Sequence, residues 1–165
     1  MKKIFFLLCV FPFIAKSQVA IGKTSIDGSG ILDFPTGTTK GIILPNVINN
    51  VNINPIEPGT LVFDLNSSKI KYYNGTWIEL SDKDGISPTL NPGNDIVTNN
   101  GVIIGADTST ANGALVLESN DKALILPKII DPVTSVKSPV AGMICYDPNK
   151  KLFCLYNGKD WFFWK

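Results

Sequence analysis

The sequence predicts an all-β (mainly β) fold: two repeated, small antiparallel β-meander modules joined by a loop-rich linker. Three observations predict it. Short apolar runs alternate with Gly, Pro, Asn and Ser, the punctuation of strands and turns. No window beyond the N-terminal segment carries an apolar period of about 3.6 residues, so no amphipathic helix is expected. The stretch Tyr72-Tyr73-Asn74-Gly75-Thr76-Trp77 also returns, altered, as Leu155-Tyr156-Asn157-Gly158-Lys159-Asp160-Trp161.

Taken in order, residues 1–17 read as a signal peptide, 18–81 as the first repeat, 82–100 as the linker and 101–165 as the second repeat. Met1-Lys2-Lys3 is a basic start, Ile4 to Ile14 is apolar, and Ala15 and Ser17 are the small residues of a cleavage site before Gln18. This pattern is that of a secretory signal, too short to span a membrane. Export and a secreted or cell-surface location are expected. Cys9 follows Leu8, too bulky for a lipoprotein processing site.

In the first repeat, Val19 to Gly22, Ile31 to Phe34 and Lys40 to Pro45 are short strand candidates, each stopped by Gly or Pro. Asn46 to Pro58 is polar and Pro-containing and reads as a loop or one helical turn. Thr60 to Leu65, Lys69 to Tyr73 and Trp77 to Leu80 form a meander. Asn74-Gly75 predicts a two-residue type I′ turn, since both residues tolerate positive φ. That register sets Tyr73 opposite Thr76 and Tyr72 opposite Trp77. In the second copy a three-residue loop, Asn157 to Lys159, absorbs the extra residue and sets Leu155 opposite Trp161.

Residues 82–100 are rich in turn formers, including Ser87-Pro88 and Asn91-Pro92-Gly93. Asp82 and Asp84 lack the regular oxygen-ligand series of a calcium loop. In the second repeat, Val102 to Gly105 matches Val19 to Gly22, Lys122 to Pro127 matches Lys40 to Pro45, and Gly142 to Asp147 matches Gly59 to Asp64. The matched positions keep strand pattern and punctuation rather than a polar cluster, which favours a structural unit.

Cys145 and Cys154 face each other across the second repeat's first hairpin if Pro148 to Lys151 is its loop. They form either a disulfide or two buried thiols. The first repeat has Val62 and Lys71 there, so the fold does not depend on a bond. In Trp161-Phe162-Phe163-Trp164, alternation puts Trp161 and Phe163 on one face and Phe162 and Trp164 on the other. Both faces are apolar, so an oligomer interface, or packing on the first repeat, is expected at these residues.

Lys plus Arg total 15 and Asp plus Glu 14, a net charge of +1 that makes no case for nucleic acid or an anionic surface. The chain has no His, which removes the commonest general base and transition-metal ligand. Its Glu residues are Glu57, Glu79 and Glu118, and no carboxylate pair stands out. Neither an enzyme, a cofactor nor a metal site is expected.

Val19-Ala20-Ile21-Gly22, Leu32-Asp33, Lys40-Gly41-Ile42-Ile43-Leu44-Pro45, Pro58-Gly59-Thr60-Leu61-Val62-Phe63 and Tyr72 to Trp77, in that order and repeated, resemble the repeats of secreted Bacteroidetes proteins. Similar repeats occur in phage tail-fibre-like proteins. The resemblance implies β-rich, exported or surface-displayed modules, often trimeric, with roles in attachment. Members carry an Arg and a Thr-rich segment after the Pro; here Asn46 and Lys128 stand in that place.

The function expected is therefore a non-enzymatic structural or adhesion-type module, a homo-oligomer and in the fibre case a trimer. Its partner would be another surface protein or a surface glycan. The alternative is carbohydrate binding, with Tyr72, Tyr73, Asn74, Trp77, Tyr156, Asn157 and Trp161 at the hairpin tips as ligand contacts.

Overall fold

The computed structural model describes residues 18–50, 53–89 and 101–165. The expected signal peptide (1–17) and the linker segment 90–100 lie outside the described residues. The first repeat contributes β1 (Val19–Ala20), β2 (Gly30–Asp33), β3 (Ile42–Ile43), β4 (Asn46–Val47), β5 (Leu61–Asp64), β6 (Lys69–Tyr73) and β7 (Trp77–Glu79). The second contributes β8 (Val102–Ile104), β9 (Leu115–Leu117), β10 (Ala123–Leu124), the helical turn α1 (Pro132–Ser135), β11 (Met143–Asp147), β12 (Leu152–Tyr156) and β13 (Trp161–Trp164).

Each repeat ends in the meander its sequence calls for. β5–β6–β7 and β11–β12–β13 are antiparallel. Both meanders open on a glycine with positive φ, 95° at Gly59 and 84° at Gly142, a region a Cβ disfavours. There the N–H donates to the carbonyl of Tyr73 and of Tyr156, 2.8 Å in each case. Both first hairpins close with a non-glycine residue of positive φ, Ser68 and Lys151.

The correspondence extends to contacts that the sequence pattern did not disclose. β1 pairs parallel with β2, Val19 opposite Leu32, and β8 pairs parallel with β9, Val102 opposite Leu115. Asn46 of β4 pairs parallel with Phe63, and Lys128 bridges Tyr146 in the same sense. Asn46 and Val47 are thus a strand rather than the expected loop. Their peptide groups are recruited by β5: the Phe63 N–H donates to the Pro45 carbonyl and the Leu65 N–H to that of Val47, 2.9 Å each.

The two repeats exchange strands. β3 leaves the first repeat and lies antiparallel on β11, Ile43 opposite Met143 and Ile42 opposite Ile144. β10 leaves the second and lies parallel on β2. One buried cluster results, with Leu44, Phe63 and Ile70 from the first repeat and Ala141, Ile144 and Leu155 from the second. Fully burying such a side chain stabilises by about 1.5–3 kcal/mol, and this cluster is complete only when both repeats contribute to it. A second cluster lies within the second repeat: Ile129, Val136, Met143, Cys145 and Cys154.

The hairpin register differs from the expected one by a residue. Tyr73 lies opposite Trp77 and Tyr72 opposite Ile78. In the second copy Tyr156 lies opposite Trp161 and Leu155 opposite Phe162. Gly75 has positive φ but Asn74 does not, so no type I′ turn forms and the loop widens to residues 74–76. The extra residue of the second copy does fall in the turn, residues 157–160. The ring contacts are conserved: Tyr73–Trp77 centroids lie 5.4 Å apart and Tyr156–Trp161 centroids 5.2 Å apart.

Candidate functional site

The two hairpin tips, both expected to offer ligand contacts, differ in burial. In the first, Asn74, Gly75 and Thr76 are exposed, while Tyr72, Tyr73 and Trp77 are half-buried. Tyr73 and Trp77 meet edge to face, at 60°. This is the geometry of cross-strand packing between quadrupolar rings.

In the second, Asn157 is fully buried. Its Oδ1 accepts the N–H of Lys159 at 3.0 Å and of Asp160 at 2.7 Å, and its Nδ2 donates to the Lys83 carbonyl at 3.0 Å. Its own carbonyl accepts the Ile86 N–H at 3.0 Å. Asn157 therefore fastens residues 83–86 onto the second repeat, and a ligand has no access to it. A Cβ at Gly85 would fall on the Asn157 carbonyl oxygen, so only glycine admits this approach. Tyr156 and Trp161 are half-buried and pack on the second cluster. The beginning of the linker is thus held to both repeats: Ser87 Oγ also donates to the Leu65 carbonyl at 2.9 Å.

β13 divides as alternation requires. Phe162 packs on the shared cluster and Trp161 on the second. Phe163 and Trp164 are exposed by 43% and 49%, and Trp164 Nε1 donates to the Leu80 carbonyl of the first repeat at 3.2 Å. The edge of the molecule therefore presents two large aromatic side chains to solvent.

Cys145 and Cys154 lie opposite each other, both buried and both free thiols. Tyr146 turns its N–H to Pro127 and its carbonyl to Ile129, 2.9 Å each. The adjacent Cys145 therefore turns its peptide groups to β12 and forms a hydrogen-bonded pair with Cys154, the wider of the two antiparallel pair types. Cross-strand Cβ atoms reach about 5.5 Å in such a pair, against the roughly 3.5–4.5 Å of a disulfide. The hydrogen bond shared with Cys154, then burial, push the Cys145 thiol up.

Three buried carboxylates were not singled out from the sequence. Asp64 accepts from Lys71 Nζ at 2.6 Å, Ser67 Oγ at 2.9 Å and the Asn66 N–H at 3.1 Å. Asp147, its counterpart, accepts the N–H of Asn149, Lys150 and Asp131. The signal was present: an Asp at the end of a strand, before a loop, bonds the backbone two residues on. Asp33 accepts from Lys23 Nζ at 2.6 Å and from the N–H of Asp27 and Phe34. Burial alone would raise the Asp33 and Asp64 carboxyls, but these donors outweigh it and hold both below the ordinary aspartate value. Satisfied, separate carboxylates of this kind are turn anchors rather than acid–base pairs.

No group of three or more metal-type side chains occurs among the described residues. No helix among them is long and apolar enough to cross a membrane. A depression of about 600 Å³ is lined by Ile31, Gly105, Glu118, Asp121 and Lys122 among others, with no aromatic platform for a sugar.

No curated protein and no solved structure matches the chain. The family described as the phage tail like trimerisation region matches residues 20–99 and again residues 103–164. These two segments cover most of the sequence, and each contains one of the two meanders. The chain belongs to the phage tail like trimerisation region family.

Proposed function

We propose that this protein is an exported, non-enzymatic assembly module that works as a homotrimer, at the cell surface or outside it, in attachment. The observation that carries this reading is the trimerisation-region match across both repeats. The basic start and apolar run of residues 1–17 support export. Phe163 and Trp164, exposed at the end of β13, supply apolar surface for a neighbouring copy or a surface protein.

Sugar binding at the hairpin tips is less well served, because Tyr73 packs edge-on against Trp77 and Asn157 is buried. Light scattering on the chain from Gln18 to Lys165 tests the reading. A discrete oligomer is expected, weakened by Phe163→Ser with Trp164→Ser. A monomer at every concentration would remove it.

A further inference from the structure

Strand exchange between the repeats is complete on one side of each repeat and unfulfilled on the other. β3 covers Gly142, Met143 and Ile144, all buried, with Met143 6% and Ile144 2% exposed. The equivalent first-repeat positions are Gly59, exposed, and Thr60 and Leu61, half-buried, and no described strand lies on the outer edge of Thr60–Leu61. Likewise β10 covers Ile31 and Leu32, each 2% exposed, whereas their counterparts Ala114 and Leu115 are open, Leu115 by 44%. Among the described residues, two acceptor edges therefore lack the strand that their counterparts hold.

The donor is open as well. In β10 and just beyond it, Ala123 N–H and Ile125 N–H donate to the Ser29 and Leu32 carbonyls, 3.0 Å each. Peptide groups alternate along a strand, so those of Leu124 and Leu126 point to the other side. Leu126 is the counterpart of Leu44, whose N–H donates to the Gly142 carbonyl at 2.9 Å. Among the described residues, the second repeat thus presents, unpaired, the edge that the first repeat uses on β11.

We infer that Leu124–Leu126 of one copy adds antiparallel to Gly59–Leu61 of a second copy, with Ile125 opposite Thr60 and the Leu126 N–H on the Gly59 carbonyl. The same contact brings the second copy's Gly41–Ile42 alongside Leu115, as β10 lies alongside β2 within the chain. The contact is head-to-tail, donor and acceptor being different surfaces, so it assembles a closed ring when the last copy meets the first. Burying main-chain edges in this way is β-augmentation, and it removes the hazard of an unpaired edge. The inference rests on the homo-oligomeric reading and names the surface that carries it.

Cysteine pairing tests it. The Leu44–Gly142 hydrogen bond makes Ile43–Met143 a non-hydrogen-bonded pair, the closer type, and Ile125–Thr60 inherits that geometry. One chain carrying Thr60→Cys is refolded with another carrying Ile125→Cys, the mass checked by light scattering, and the mixture oxidised. A disulfide-linked pair of chains on a non-reducing gel is expected, absent when either chain is oxidised alone. An oligomer of normal mass without that link overturns the inference and leaves the assembly reading standing. A link from Ile125→Cys to a partner carrying Met143→Cys in its place overturns it too, since the repeats would then pair like with like. A monomeric mass for the unsubstituted chain overturns both.

Discussion

Ile43 lies directly opposite Met143, a residue of the other repeat, and the next residue, Leu44, donates its N–H to the Gly142 carbonyl at 2.9 Å. This pairing, with the return of β10 to β2, joins the two repeats, so they are expected to unfold together. Leu155→Ala removes a fully buried side chain from the cluster that also holds Phe63 and Ile70. A loss of about 2–5 kcal/mol is expected by denaturant titration. The transition should remain single and shift as a whole. Two transitions, with only the later one moved, would mean that the repeats fold apart.

The two hairpin tips should respond differently to the same substitution. Asn157→Ala strands the Lys83 carbonyl and the N–H groups of Lys159 and Asp160 in a buried turn, at a cost of about 1–3 kcal/mol. Asn74→Ala, at an exposed tip, should change stability by less than about 0.5 kcal/mol. Thermal or denaturant unfolding of the pair of variants measures the difference directly. Equal effects would contradict the burial asymmetry.

Acid should loosen the fold through Asp33 and Asp64. Both carboxyls sit below the ordinary value of 3.8 when folded, so the unfolded chain binds protons more readily. Their contribution is full above the unfolded value and is lost as pH falls through the folded one. The denaturation midpoint should therefore drop between about pH 5 and about pH 2. Asp64→Asn should lower the midpoint at neutral pH and flatten this acid slope; an unchanged slope in Asp33→Asn and Asp64→Asn together would contradict the assignment.

The thiols offer a chemical check on the second core. Cys145 and Cys154 are buried and free, and the Cys145 thiol is held up by its partner and by burial. Neither should react with a thiol-specific reagent in the folded chain starting at Gln18, and both should react once it is unfolded without reductant. No reactive thiol after unfolding would mean a disulfide.

Much of this architecture is legible in the sequence, and what is not has a physical cause. The meanders, the repeat offset and the facing of Cys145 with Cys154 follow from period-two patterning and turn residues, which are local. The one-residue register error at Asn74-Gly75 arises because an Asn-Gly pair permits a type I′ turn without compelling one. Here the Tyr73–Trp77 ring contact accompanies a wider loop. The parallel pairings of β1, β4 and β8, and the crossing of β3 and β10 between repeats, are non-local. Two-residue strands such as Ala123–Leu124 carry too few residues for a period to show. Asn157 and Asn74 are the same residue type in the same motif. Only the path of residues 83–86 makes one a buried tie and leaves the other at the surface.

Native mass spectrometry of the chain from Gln18 to Lys165 counts the copies in the assembled particle. Three copies are expected, as a closed ring in which every donor strand finds an acceptor edge. A species of one copy, persisting as concentration rises, would contradict assembly as the work of this protein.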